Sequence, residues 1–439
     1  MVRLWLGFLA LAAWAQGAES MRIRGATLVD PSTRSERQSD VFMQDGRVVE
    51  GSGLDGPVQE LDGRGLFLMP ALWDLQASLW GNDSAKDYHE LDQSMSISQC
   101  LKIQLYYGVA HVSAALMSKK WVGREMNRAD ALEIPAAELL FPDKVLAGAG
   151  AKDWAAIQVT RVAQVGPLLD ELKAQSPPFL YVSCLAPNDG YLAGLSPGLA
   201  HLLIRQAGAR SLKTYVLVDT WDKALRVVQD GATAIAGLPH GRVPETLLAL
   251  MRAHHCAYAP RLTQFLECNR LQDSEAARED PFLADSVPAE VRDSFRDPKA
   301  LWKEWKAASD FGRANQDQSL RNLREIAAAG IHILSATESG STAGTFHGFS
   351  THANQAWMER AGLDPWVRLS AATLWPAEFL GRLCNFAPGA PADFVALSAD
   401  PLQGAGALRR IVFIVRKGRK VGRNSLVPDL TRHRFRPYR

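Results

Sequence analysis

The feature that most constrains this chain is an alternation. Short apolar runs take turns with amphipathic helical patterns through most of its length. The runs "FLYVSCLAP", "KTYVLVDT", "ATAIAGLP", "CAYAPRL" and "IHILSATES" each end in loop-forming residues, and helical stretches such as "WDKALRVVQDG", "PETLLALMRAHH" and "DQSLRNLREIAAAG" lie between several of them. Gly or a turn follows each helix, as a helix stop requires. Repeated β-α order is the pattern of a parallel sheet, open or closed into a barrel, because parallel strands need a crossover between them. At 439 residues the chain is long enough for an α/β barrel with a smaller domain, or for two ordinary domains.

Both ends read differently. "MRIRGATLVD" and "SDVFMQDGRVVEGSG" are strand-like, with Asp45-Gly46 as a hairpin turn, and "ADFVALSADPL" and "LRRIVFIVRKGRKVG" are strand-like again, with Lys417-Gly418 as the turn. Two internal regions depart from the alternation. "GNDSAKDYHELDQSMSISQCLKIQLYYGV" reads as a long loop and then a helix. Residues 264–310, rich in charge and carrying Trp302 and Trp305, read as a helical insertion. It is either a lid over a barrel mouth or a surface helical pair whose aromatic residues pack.

The first 18 residues have a basic start at Arg3, an apolar run from Leu4 to Trp14, and Ala13-x-Ala15 followed by Ala18 as cleavage points. We read them as a secretory signal peptide, the run being short of the ~20 residues that span a bilayer. The mature chain is then expected to be exported, periplasmic or secreted, without a membrane span. A formal net charge of +2 argues against nucleic acid or an acidic membrane as partner. Cys100, Cys184, Cys256, Cys268 and Cys384 are scattered, with no Cys-x-x-Cys pair, and read as small buried hydrophobes. The basic end, residues 426–439 with "TRHRFRPYR", reads as a solvated tail rather than a tether.

Several segments carry a resemblance. In order they are "GATLVDP", "VFMQDGRVVEGSG", "LDGRGLFLMPALWDLQASL", "LVDTWDKALRVVQDGATAIAGLP", "GIHILSATESGS", "AGLDPWVRLSAATLWPAEFLG" and "APGAPADFVALSADPL". Together they are similar to the amidohydrolase superfamily, in its imidazolonepropionase-like and prolidase-like branch. The resemblance implies an α/β fold: a (β/α)8 TIM barrel over residues 70–384, and a small β-sandwich made from both chain termini, residues 20–69 and 385–425. It also implies metal-assisted hydrolysis of C–N bonds at the C-terminal mouth of the barrel, by zinc or another divalent ion that activates water.

The ligand positions implied by the resemblance do not carry the family's residues. The first strand of the family ends in Asp-x-His-x-His, whereas this chain has Asp74, Gln76 and Ser78. Side chains two apart share a strand face, so Gln76 and Ser78 are expected to project together. The fourth-strand lysine falls at Tyr181 or Val182, the fifth-strand histidine near Leu217, and the sixth at Gly237. The final aspartate becomes Glu338, on a longer arm. Neither amide nor hydroxyl is a good zinc ligand, so no metal and no other cofactor is expected. His240, His254, His255, His347 and His352 show no ligand spacing, and no Gly-x-Ser-x-Gly elbow is present. The expected function is that of a non-hydrolytic pseudoenzyme binding a small molecule at the mouth, or an envelope protein; a homodimer is left open. The alternative is an active C–N hydrolase using Glu338 as its catalytic acid or base.

Overall fold

The structure, a computed structural model, describes residues 20–51, 54, 56–79, 97–114, 135–140, 144–151, 156–186, 192–297, 303–341 and 343–427. The expected signal peptide, the loop from 80 to 96, Trp302, the side chain of Trp305 and residues 428–439 of the tail lie outside them. In chain order the strands are β1 (Ser20–Asp30), β2 (Ser35–Gln44), β3 (Arg47–Val49), β4 (Val58–Asp62), β5 (Phe67–Pro70), β6 (Leu72–Ala77), β7 (Val109–Ala114), β8 (Glu138–Leu140) and β9 (Val145–Ala147). There follow β10 (Ala156–Gln158), β11 (Leu180–Ser183), β12 (Thr214–Leu217), β13 (Ala234–Ala236), β14 (Ala257–Ala259), β15 (Phe394–Leu397), β16 (Ile411–Arg416) and β17 (Arg419–Val421).

Both β-rich ends build one sheet. β5 pairs antiparallel with β15, so eight strands from the two termini share a ladder in the order β17-β16-β15-β5-β1-β2-β3, with β4 also on β1. The expected sandwich is therefore a single hydrogen-bonded sheet, and the break in register between Ile23 and Ala26 lets β1 pair first with β4 and then with β5. Alternation sorts its faces. Leu68, Phe394 and Ala396 join Met21, Ile23, Met43 and Phe413 in a core of the sheet's own, whereas Met69, Val395 and Leu397 pack with Leu72, Leu101, Leu105 and Val109 of the central domain. The hairpin turns are as the sequence specifies: Asp45 and Gly46 take φ of 50° and 77°, and Lys417 and Gly418 take 48° and 73°.

The central domain alternates strand and helix. β10-β9-β11-β12-β13-β14 form a parallel sheet, and β6-β7-β8 form a second one. Isolated bridges, Tyr258 to Ile333 and Ala77 to Ser339, join these two sheets through the segment "IHILSATES". Among the described residues no ladder joins β8 to β9 or β10. Within the segment 331–339 the bridges stay isolated, and the Thr337 amide donates to the side chain of Asp74 at 3.0 Å.

The helices follow their apolar stripes. In the helix Trp221–Gln229, Trp221, Ala224, Val227 and Val228 are buried, and Thr220 caps the start by accepting from Lys223 N at 3.2 Å. Each large apolar side chain so buried contributes about 1.5–3 kcal/mol relative to exposure. The insertion resolves into short helices whose Leu283, Val291 and Phe295 join the core around Leu101 and Leu105, and Tyr107 Oη donates to Phe282 O at 2.7 Å. Its described part packs against the helix Ile97–Tyr106, with Tyr106 Oη donating to Asp285 Oδ2 at 2.8 Å. Among the described residues no helix is long and apolar enough to cross a membrane. All five cysteines are buried, and no disulfide links any two of them.

Candidate functional site

The C-terminal end of β6 meets the segment 337–341 through backbone hydrogen bonds. Glu338 N donates to Gln76 O at 2.7 Å, and Ser78 N donates to Ser339 O at 2.8 Å. These contacts bring Gln76, Ser78 and Glu338 together, all of them buried. Glu338 adopts a left-handed φ of 55°, a conformation costly for a residue with a side chain; here the backbone bonds on both sides impose it.

The side chains form a closed chain of donors and acceptors. Tyr215 Oη donates to Gln76 Oε1 at 2.8 Å, Gln76 Nε2 donates to Glu338 Oε1, and Arg261 Nη2 reaches the same oxygen at 2.6 Å. Glutamine suits this place because one end of its amide accepts from a phenol while the other donates to a carboxylate. Tyr181 stacks on Tyr215 with ring centroids 5.2 Å apart. Burial pushes both phenols well above their usual pKa, so they remain donors at neutral pH. Beneath this chain the carboxylate of Asp74 takes four donors: Gln76 N, Thr337 N, Thr337 Oγ1 and Ser339 Oγ. Gln104 Nε2 extends the network by donating to Ser339 Oγ at 3.0 Å.

Asp74 has a measurable signature. Burial outweighs its hydrogen bonds and lifts its carboxyl from 3.8 to about 6. The folded state then holds a proton that the unfolded chain has released across that window. Its contribution to stability is fully present below about pH 4 and is lost as pH rises through about 6, a swing of roughly 3 kcal/mol. Urea unfolding at pH 4.5 and 7.5 should therefore show a smaller difference between the two pH values in D74N than in the wild type. Identical differences would mean that Asp74 titrates normally.

The remaining sequence-derived positions fall differently. Val182 is not a mouth residue: it packs outward with Leu169, Leu203 and Val216, and Tyr181 is the residue of that strand that faces inward beside Tyr215 and Leu217. Leu217 is buried in this inner cluster. Gly237 has φ of 148°, and a Cβ there would lie 2.1 Å from Val218 O, so this backbone accommodates no side chain of any kind. Cys184 faces the outer layer, its thiol raised to about 12 by burial. His240, His254 and His255 are exposed, and His352 Nε2 is hydrogen-bonded to Tyr107 O at 2.7 Å, away from Glu338. Arg261, Tyr215, Thr337 and Ser339 carry no motif that marks them in sequence. The one signal for the tyrosines is their alternation in "FLYVSC" and "KTYVLV".

Solved structures similar to this chain include molinate hydrolase (15% identity, TM-score 0.69, covering 93% of this chain and 96% of that one). They also include a Xaa-Pro dipeptidase with bound methionine (14%, 0.70, 92% and 100%) and the ochratoxinase of A. niger (15%, 0.67, 94% and 98%). This is the amidohydrolase fold. No protein-family profile and no curated protein sequence matches the chain.

The amidohydrolase fold implies a divalent metal, and the donors around Glu338 do not fit one. Zinc takes imidazole, thiolate or carboxylate ligands in a tetrahedron. Here the inward groups are two neutral phenols, an amide, an isobutyl group and two carboxylates already holding donors, and Arg261 brings a positive charge to Glu338. Among the described residues, no three His, Cys, Asp or Glu side chains are grouped to hold a metal ion.

Proposed function

We propose that this chain is a non-hydrolytic member of the amidohydrolase fold, exported from the cytoplasm, that binds a small molecule or an envelope partner. One observation carries the reading: the Arg261 guanidinium rests on Glu338, the one carboxylate that the family resemblance assigns to catalysis, at 2.6 Å. A fixed cation there supplies the charge balance that a metal supplies elsewhere, without a bound water to activate. A working hydrolase built on Glu338 has less support, because its Oε1 already receives both Gln76 and Arg261.

Elemental mass spectrometry of the protein, purified without chelator and then equilibrated with excess zinc, is the direct test. Well under one zinc per chain is expected in both samples. One equivalent or more, lost on Glu338→Ala, would overturn the reading and restore a hydrolase. Export rests on residues 1–18 and has its own check. N-terminal sequencing of the chain recovered from the envelope of expressing cells should begin just after Ala15 or Ala18. A chain still starting at Met1 would refute it.

A further inference from the structure

A second concave region lies where the terminal sheet meets the N-terminal ends of β6, β7 and β8. It encloses about 760 Å³, within the range of small-molecule sites. Trp73 lines it, three residues before Gln76 on β6 and so roughly 10 Å from the network at the other end of the strand. Arg47, Arg382, Arg416, Lys417 and Arg419 also line it, against three carboxylates, Asp45, Glu138 and Asp393.

Two of those carboxylates are committed within the protein. Asp393 takes Arg416 Nη1 at 3.1 Å, Lys417 N at 2.6 Å and His111 Nε2 at 3.3 Å; Glu138 takes His111 Nδ1 and Arg382 Nη1, each at 2.8 Å. Burial opposes charge on His111, but its bonds to Asp393 and Glu138 outweigh burial and raise its pKa, which adds positive character. Arg416 is only 1% exposed, and its Nε and Nη2, which meet no acceptor among the described residues, are closed off from the cavity as well. At the rim, an oxyanion is the partner that the guanidinium forks of Arg382 and Arg419 fit.

We infer that this cavity binds a small oxyanion, a carboxylate or phosphate compound, held by Arg382 and Arg419 at its rim and bounded by the indole of Trp73. The site is separate from the Gln76–Glu338 network and stands whether or not that network proves hydrolytic. Its positive excess concentrates anions in a walled space, where charge-assisted bonds are stronger than on an open surface.

Isothermal titration of the mature chain with inorganic phosphate and with citrate, at fixed ionic strength, tests it. Saturable one-site binding of at least one probe is expected, and the probe that saturates identifies the oxyanion. Because Arg416→Ala would take the guanidinium from the buried Asp393 and threaten folding, the rim is tested instead. The double variant R382A/R419A should bind about tenfold or more weakly. The variant R64A/R296A removes two charges elsewhere and should bind as the wild type does. Absence of saturation with both probes, or equal weakening in the two double variants, would overturn the inference.

Discussion

Replacing Arg261 with alanine is expected to lower the free energy of unfolding by about 3–5 kcal/mol, among the largest effects available to one substitution here. The side chains of Arg261 and Glu338 are 12% and 9% exposed, so the truncation strands a carboxylate beside Gln76 in a space with little water. The cost comes from the abandoned partner more than from the lost attraction. The double variant R261M/E338Q removes both charges while keeping an acceptor for Gln76 Nε2, and should recover most of the loss. Urea unfolding of the three chains decides: a double variant as unstable as the single would show that the pair is not coupled in this way.

The second large effect is at the joint between the two domains. Asp393 is buried and holds the side chain of Arg416, the amide of Lys417 and the ring of His111, so one carboxylate ties β15 to β16 and both to β7. Asp393→Ala should destabilise by about 3–5 kcal/mol, because it leaves the Arg416 guanidinium charged and nearly unpaired in the interior. The pKa of Asp393 is held below the usual carboxylate range: burial raises it, but Arg416 and His111 outweigh that and lower it. Its contribution is therefore present above about pH 4 and is lost only in strong acid. Thermal unfolding at neutral pH should show the loss, and limited proteolysis should find the terminal sheet cut before the central domain. A change below 1 kcal/mol, or unaltered cleavage, would mean that apolar packing between Met69, Val395 and Val109 alone holds the joint.

Much of the architecture is local and therefore legible. Asp45-Gly46 and Lys417-Gly418 mark their hairpins because few other pairs tolerate two successive positive φ values. The helix at Trp221 is readable from a cap and a stripe. The inward face of the central strands is not readable. All four residues of β11 are buried, so no polar alternation distinguishes Tyr181 from Val182, and only the helices packed outside and the strands facing it inside settle the parity.

The candidate site divides along the same line. Sequence alone names Gln76, Ser78 and Glu338 as the residues expected at the positions that the amidohydrolase resemblance implies. The tertiary structure decides what surrounds them. Arg261 reaches Glu338 and Tyr215 reaches Gln76 from other strands and loops, with no periodicity to announce them, and the sheet that joins both termini depends on a ladder between β5 and β15. Short-range patterns reflect the preferences of a backbone with its neighbours; such pairings are chosen by the whole fold, which brings together groups that the chain keeps far apart.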